Sequence, residues 1–247
     1  MSTTDKITIK KNVGQFDEDV RRTGSYTYTA ERLSSRLANA RISRSIQEAY
    51  DFRDKAVLDL GCGDGTYTLE FPSFGARHVL GIDPAAVAVQ AATDKAQATG
   101  LGDVVQFEVG DIYALPPHVV DCGFDCVVLR GVLHHLPDAP GALMALSKVA
   151  PSMLILEPNG LNPVLKILEK TSAYHVAHEE RSFTPGQLRG WLEAAGFRVS
   201  ASTLLNLVPM FCPDWMARPL RLAEPAVERL PGLRNIACGQ IVMVGER

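Results

Sequence analysis

The chain has 247 residues, 46% of them hydrophobic, and a formal net charge of -3. That content suffices for one sizeable α/β domain with a cap, or for two small domains. No block of like charge suggests a phosphate-tracking surface, which argues against a nucleic-acid partner, and no apolar run approaches the roughly 20 residues that cross a bilayer.

The N-terminus, Met1-Ser2-Thr3-Thr4-Asp5-Lys6, lacks the basic-then-apolar order of a secretory signal. The five cysteines are dispersed and form no CxxC pair, which predicts reduced thiols in a cytoplasmic protein and no metal site. Residues 1–25 are polar and without period, and read as an arm. From Thr29, a plausible N-cap, Leu33, Leu37, Ile42, Ile46 and Ala49 recur at helical spacing. Residues 1–52 are therefore expected to form an arm and a cap helix, and 53–247 the main domain.

From residue 55 strand and helix alternate. Strands are expected at 56–60, 79–82, 104–109, 124–129, 153–156, 197–205 and 239–244. Helices are expected at 85–99, closed by Gly100, at 140–149, and from Thr184-Pro185 to Gly196. This order predicts a mostly parallel, doubly wound sheet with helices on both faces and a ligand at the carboxyl ends of the strands. Residues 158–183 and 206–236 interrupt the alternation and read as lid insertions. The apolar part of the second insertion, with Met210, Phe211 and Trp215, reads first as lid core; a dimer patch or a membrane-surface contact is second. Pro209, Pro213 and Pro219 argue there against one long amphipathic helix.

The first strand ends in Asp59-Leu60-Gly61-Cys62-Gly63-Asp64-Gly65-Thr66, after which a helix start is expected. Glycine permits positive φ and lets a ligand approach the backbone. The third glycine is out of register for the nicotinamide fingerprint G-x-G-x-x-G, and no Lys-Ser/Thr pair completes a phosphate loop. Further acids follow the next two strands: Asp83 in Gly81-Ile82-Asp83, followed by Pro84, and Asp111 in Gly110-Asp111-Ile112. After strand four stands Arg130-Gly131-Val132-Leu133-His134-His135-Leu136-Pro137-Asp138.

These motifs, in this order, resemble the class I S-adenosylmethionine-dependent methyltransferases, small-molecule branch. The resemblance implies a Rossmann-like, seven-stranded sheet whose last strand is antiparallel. It implies S-adenosylmethionine as cofactor, cradled by Gly61, Gly63 and Gly65. Asp59 would lie near the methionine ammonium or bond only the turn's amides. Asp83 would take the ribose hydroxyls or cap the next helix, and Pro84 beside it is a further cofactor candidate. Asp111 would pair with adenine, with Ile112 packed on the ring, or remain a loop acid. Arg130 would hold the cofactor carboxylate or a substrate anion, or pair with a nearby acid. Tyr28 is a cofactor candidate from the cap.

Methyl transfer to a hydroxyl can use a base near neutral pKa, so His135, with His134, is the catalytic candidate. The other reading has both histidines bonding backbone around the turn. Glu157, Asn159, His178 and Glu179 are substrate candidates. The implied activity is methyl transfer to a hydroxyl, or to nitrogen or carbon, of a small molecule, in natural-product or saccharide biosynthesis. A nicotinamide oxidoreductase and a non-catalytic S-adenosylmethionine-binding protein are the alternatives. Oligomeric state is left open.

Overall fold

The computed structural model describes residue 14 and residues 32–172, 181–210 and 212–247; the expected N-cap Thr29 lies outside them. Seven strands form one sheet: β1 (Ala56–Leu60), β2 (His78–Asp83), β3 (Val105–Val109), β4 (Cys126–Arg130), β5 (Ser152–Pro158), β6 (Arg198–Leu205) and β7 (Gln240–Glu246). Their order is β3-β2-β1-β4-β5-β7-β6. The first five pair in parallel, and β7 runs antiparallel to both β5 and β6. The doubly wound sheet with an antiparallel last strand is thus present.

The helices are α1 (Leu33–Ala49), α2 (Ala86–Ala98), α3 (Pro117–Val120), α4 (Ala139–Leu146), α5 (Pro163–Thr171), α6 (Pro185–Ala194), α7 (Asp214–Arg229) and α8 (Pro231–Ala237). Alternate strand residues face opposite sides, and both sides are covered. Leu58, Leu60, Val127, Leu129, Met153 and Ile155 pack with Leu143 of α4 and Leu188 of α6. On the other side Val57, Val79, Val128, Leu154 and Val242 pack with Ile42 and Ile46 of α1.

Two local readings of the sequence change. The segment after the glycine turn is a 3-10 helix, Thr68–Phe74, with Pro72 inside it and Gly75 at φ 97 as its cap. Proline has no N–H for an α-helical ladder and clashes with the preceding turn, so the tighter coil forms instead. The prolines of the second insertion do not prevent a long helix. Pro213 flanks α7, and Pro219 and Pro225 lie within its 16 residues. Trp215, four residues before Pro219, is 76% exposed, on a side of the helix where water can serve a carbonyl left without its N–H.

The sheet reverses its winding at β1, between β2 and β4. That switch point places the ends of β1, β2, β3 and β4 around one crevice.

Candidate active site

The glycine turn leaves β1 with Gly61, Gly63 and Gly65 at φ 75, 54 and 72. A Cβ on Gly61 would lie 2.5 Å from Val132 Cγ2, so a bare backbone is required where the ends of β1 and β4 meet. Gly65 serves packing: its Cβ would meet Ala92 at 2.7 Å and Phe107 at 2.8 Å.

Asp83 ties the turn to β2. One carboxylate oxygen accepts the Gly63 N–H at 2.9 Å and the other the Ala85 N–H at 2.8 Å. Asp83 is buried, yet it borders a cavity of about 1010 Å³. The same cavity is lined by Gly61, Gly63, Pro84, Asp111, Ile112, Arg130, His134 and His135. These expected site residues are therefore brought together.

Others lie elsewhere. Asp59 is not on the cavity wall: its carboxyl accepts the Thr68 hydroxyl at 2.6 Å, and burial pushes its pKa up to about 7. Asn159 is fully buried and donates to the carbonyls of Asn235 and Cys238, both at 2.8 Å. Glu157, also fully buried, accepts the amides of Val132 at 3.0 Å and Leu133 at 2.7 Å, and meets His134 Nδ1 at 2.7 Å. Burial pushes its pKa up to about 8 against the pull of those amides. Glu157 and Asn159 therefore contact protein groups rather than the cavity. Tyr28, His178 and Glu179 lie outside the described residues.

Arg130 is held from three directions. Its guanidinium stacks 3.6 Å from the centre of the Tyr67 ring. It donates to Asn39 Oδ1 at 3.3 Å and Ser43 Oγ at 3.2 Å, both on α1, and to Glu70 at 3.5 Å. Burial lowers its pKa, and the Glu70 carboxylate opposes that. Tyr67 and Asn39 line the cavity, and neither was singled out in the sequence. Tyr67 carries a signal, an aromatic two residues past the last glycine of the turn. Asn39 carries none, because its place depends on how α1 docks. The buried Asp64, also on the cavity wall, pairs with Lys95 at 2.7 Å.

The cavity continues from His135 along an apolar wall from the two insertions: Leu165 and Leu168 of α5, Val208 and Met210, and Met216 and Leu220 of α7. The two histidine rings stand 4.0 Å apart, with His134 buried and His135 half-buried. Among the described residues no group of three or more His, Cys, Asp or Glu is placed to hold a metal ion.

The donor set fits a nucleoside bearing an amino-acid tail. Bare backbone at Gly61 admits close approach, Asp83 offers a carboxylate to paired hydroxyls, and Arg130 offers a cation to a carboxylate.

A family described as "Methyltransferase domain" matches residues 51–196. A ubiquinone biosynthesis O-methyltransferase of Pseudoalteromonas translucida is 27% identical over 172 residues, 64% of this chain and 69% of that protein. A 27-O-demethylrifamycin SV methyltransferase of Amycolatopsis mediterranei is 32% identical over 117 residues, 42% of this chain and 41% of that protein. Among solved structures, magnesium protoporphyrin IX methyltransferase of Synechocystis PCC 6803 with bound SAH superposes with TM-score 0.66, at 17% identity, covering 98% of each chain. The 4+2 cyclase SpnF superposes with TM-score 0.67, at 20% identity, covering 97% of this chain and 93% of that one.

Proposed function

Since this chain belongs to the class I S-adenosylmethionine-dependent methyltransferase family, and S-adenosylmethionine is its cofactor, we propose that it methylates a hydroxyl on a small, largely apolar molecule. The observation that carries this reading is the single cavity that runs from the bare turn at Gly61, past His135, to the wall of Leu165, Leu168, Met210 and Met216. The names of two relatives, a ubiquinone-biosynthesis and a rifamycin methyltransferase, support an apolar acceptor with oxygen chemistry.

The cofactor supplies a methyl group on a sulfonium, already a good leaving group. The chain's own task is then alignment, exclusion of water and custody of one proton. Asp83 takes the ribose hydroxyls while its amide bonds hold it in place. Asp111 and Ile112 take the adenine. Arg130, stacked on Tyr67, takes the tail carboxylate. Asp59 holds Thr68, and so the start of the 3-10 helix, rather than the ammonium. His135 accepts the acceptor's hydroxyl proton, and Glu157 positions the turn that carries it by binding His134 and two backbone amides.

Calorimetric titration with S-adenosylmethionine and with reduced nicotinamide, followed by methyl transfer to a panel of phenolic and aliphatic hydroxyl acceptors read by mass, tests the proposal. The expected result is binding of the former only, and a mass gain of one methylene on an apolar hydroxyl compound. Transfer confined to amines or carbon would overturn the hydroxyl assignment. Binding without S-adenosylhomocysteine formation on any acceptor would favour a non-methylating use of the fold.

A further inference from the structure

The helices that wall the cavity present a second apolar face outward. Val164 and Ile167 of α5 are 60% and 61% exposed, Trp215 and Leu222 of α7 76% and 84%, and Leu233 and Ile236 of α8 41% and 54%. A cluster of large apolar side chains in water marks a contact surface. The three helices adjoin one another. Asn162, which caps α5, donates to the carbonyls of Ala237 and Cys238 at the end of α8, and α8 follows α7 directly.

The charges on this face are sorted. Lys170, Arg218 and Arg229 are exposed. Of the acids on the three helices, Glu224 turns inward to Arg221 and the Leu207 amide, and Glu228 to Arg41 and the Asn206 amide. Glu169 is held by Ser182 and Lys166, so Asp214 is the one exposed acid. A chain of net charge -3 thus carries a face of tryptophan, aliphatic and cationic side chains. Indole and arginine beside aliphatic side chains suit the boundary between headgroups and acyl chains, and the cations match anionic headgroups. Val164 and Ile236 both line the cavity and stand exposed, so the cavity opens within this face.

We propose that the outer face of α5, α7 and α8 docks on an anionic lipid surface, with the cavity mouth against the lipid. The proposal goes beyond the methyl-transfer reading and needs no knowledge of the acceptor. Flotation of the full chain with phosphatidylcholine vesicles, and with vesicles also containing phosphatidylglycerol, tests it. Binding is expected to the anionic vesicles, to weaken with salt, and to fall at least about tenfold in both Trp215→Ser/Leu222→Ser and Arg218→Glu/Arg229→Glu. S-adenosylmethionine binding, unchanged in both variants, reports that they remain folded. Failure to float with anionic vesicles, equal partition to both vesicle types, or variants that bind like the parent overturns the proposal. So does a concentration-dependent dimer that Trp215→Ser/Leu222→Ser abolishes while vesicles are ignored, or an apolar face already covered by residues 1–31, read as new vesicle binding on their removal. The assay uses no acceptor and no turnover, so its failure leaves the methyl-transfer reading standing.

Discussion

Glu157 Oε2 lies 2.7 Å from His134 Nδ1, and the other oxygen of the same carboxyl accepts the amides of Val132 and Leu133. One buried side chain of β5 therefore fixes the turn after β4 that carries both histidines. Glu157→Gln keeps an oxygen for the Val132 and Leu133 amides but puts an amide NH2 in place of the carboxyl oxygen that meets His134 Nδ1. It is expected to lower kcat about tenfold or more with little change in cofactor Kd, read by steady-state kinetics beside calorimetry. Glu157→Ala leaves the amides unpaired, at about 1–3 kcal/mol each, and should lower the denaturation midpoint strongly.

Asp83 combines two roles, because the residue whose carboxylate accepts the Gly63 and Ala85 amides also borders the cavity. Asp83→Ala is expected to raise the cofactor Kd at least about 100-fold, since charged hydrogen bonds of roughly 1.5–3 kcal/mol each are lost and the turn is loosened. Titration calorimetry checks this; an unchanged Kd removes Asp83 from the binding site.

At Gly61 the conflict is steric. The added methyl of Gly61→Ala would stand 2.5 Å from Val132 Cγ2, at φ 75, where an L side chain is disfavoured. A loss of about 1–3 kcal/mol in stability is expected from overpacking and the backbone term together. Gly61→Ala/Val132→Ala should recover only the overpacking share. Urea unfolding of both variants separates the two parts.

Asp59 gives a pH signature. Burial raises its folded pKa from 3.8 to about 7, so between those values the native state holds a proton that the unfolded chain has released. The contribution is complete below the unfolded pKa and is lost as pH rises through about 7, at up to roughly 1.4 kcal/mol per pH unit. Asp59→Asn is expected to flatten that part of the stability profile between pH 4 and 7, measured by urea midpoints at fixed salt. Equal slopes in parent and variant would show Asp59 ionised in the folded protein.

The succession of strands and helices and the acids that close β2 and follow β3 are legible because alternation and glycine spacing are local properties. Asp83 could be placed for the same reason: an acid that ends a strand beside a glycine turn has few places to go. Asp59 was not, since its partner Thr68 follows a turn whose path depends on Pro72 and Gly75. Glu157 and Asn159 read as facing substrate because they end a strand at the ligand side. Their side chains instead satisfy backbone groups of distant segments, which no local pattern encodes. Tyr67 and Asn39 join the site only through tertiary contacts with Arg130 at the end of β4. The helix α7 is hidden in the sequence because Pro219 and Pro225 read as breaks, whereas a proline is tolerated where water can serve the carbonyl it leaves bare.

Ser34 and Ser35 of α1 both donate to the Met210 carbonyl at 2.8 Å, and Arg41 grips Glu228 of α7 at 2.7 Å. These bonds fasten α1 to the segment that roofs the apolar part of the cavity. The roof cannot lift without dragging α1, and α1 also supplies Asn39 and Ser43 to Arg130. The apolar roof of the cavity and the Arg130 guanidinium are thereby geared through one helix, so that a displacement of either pulls on the other.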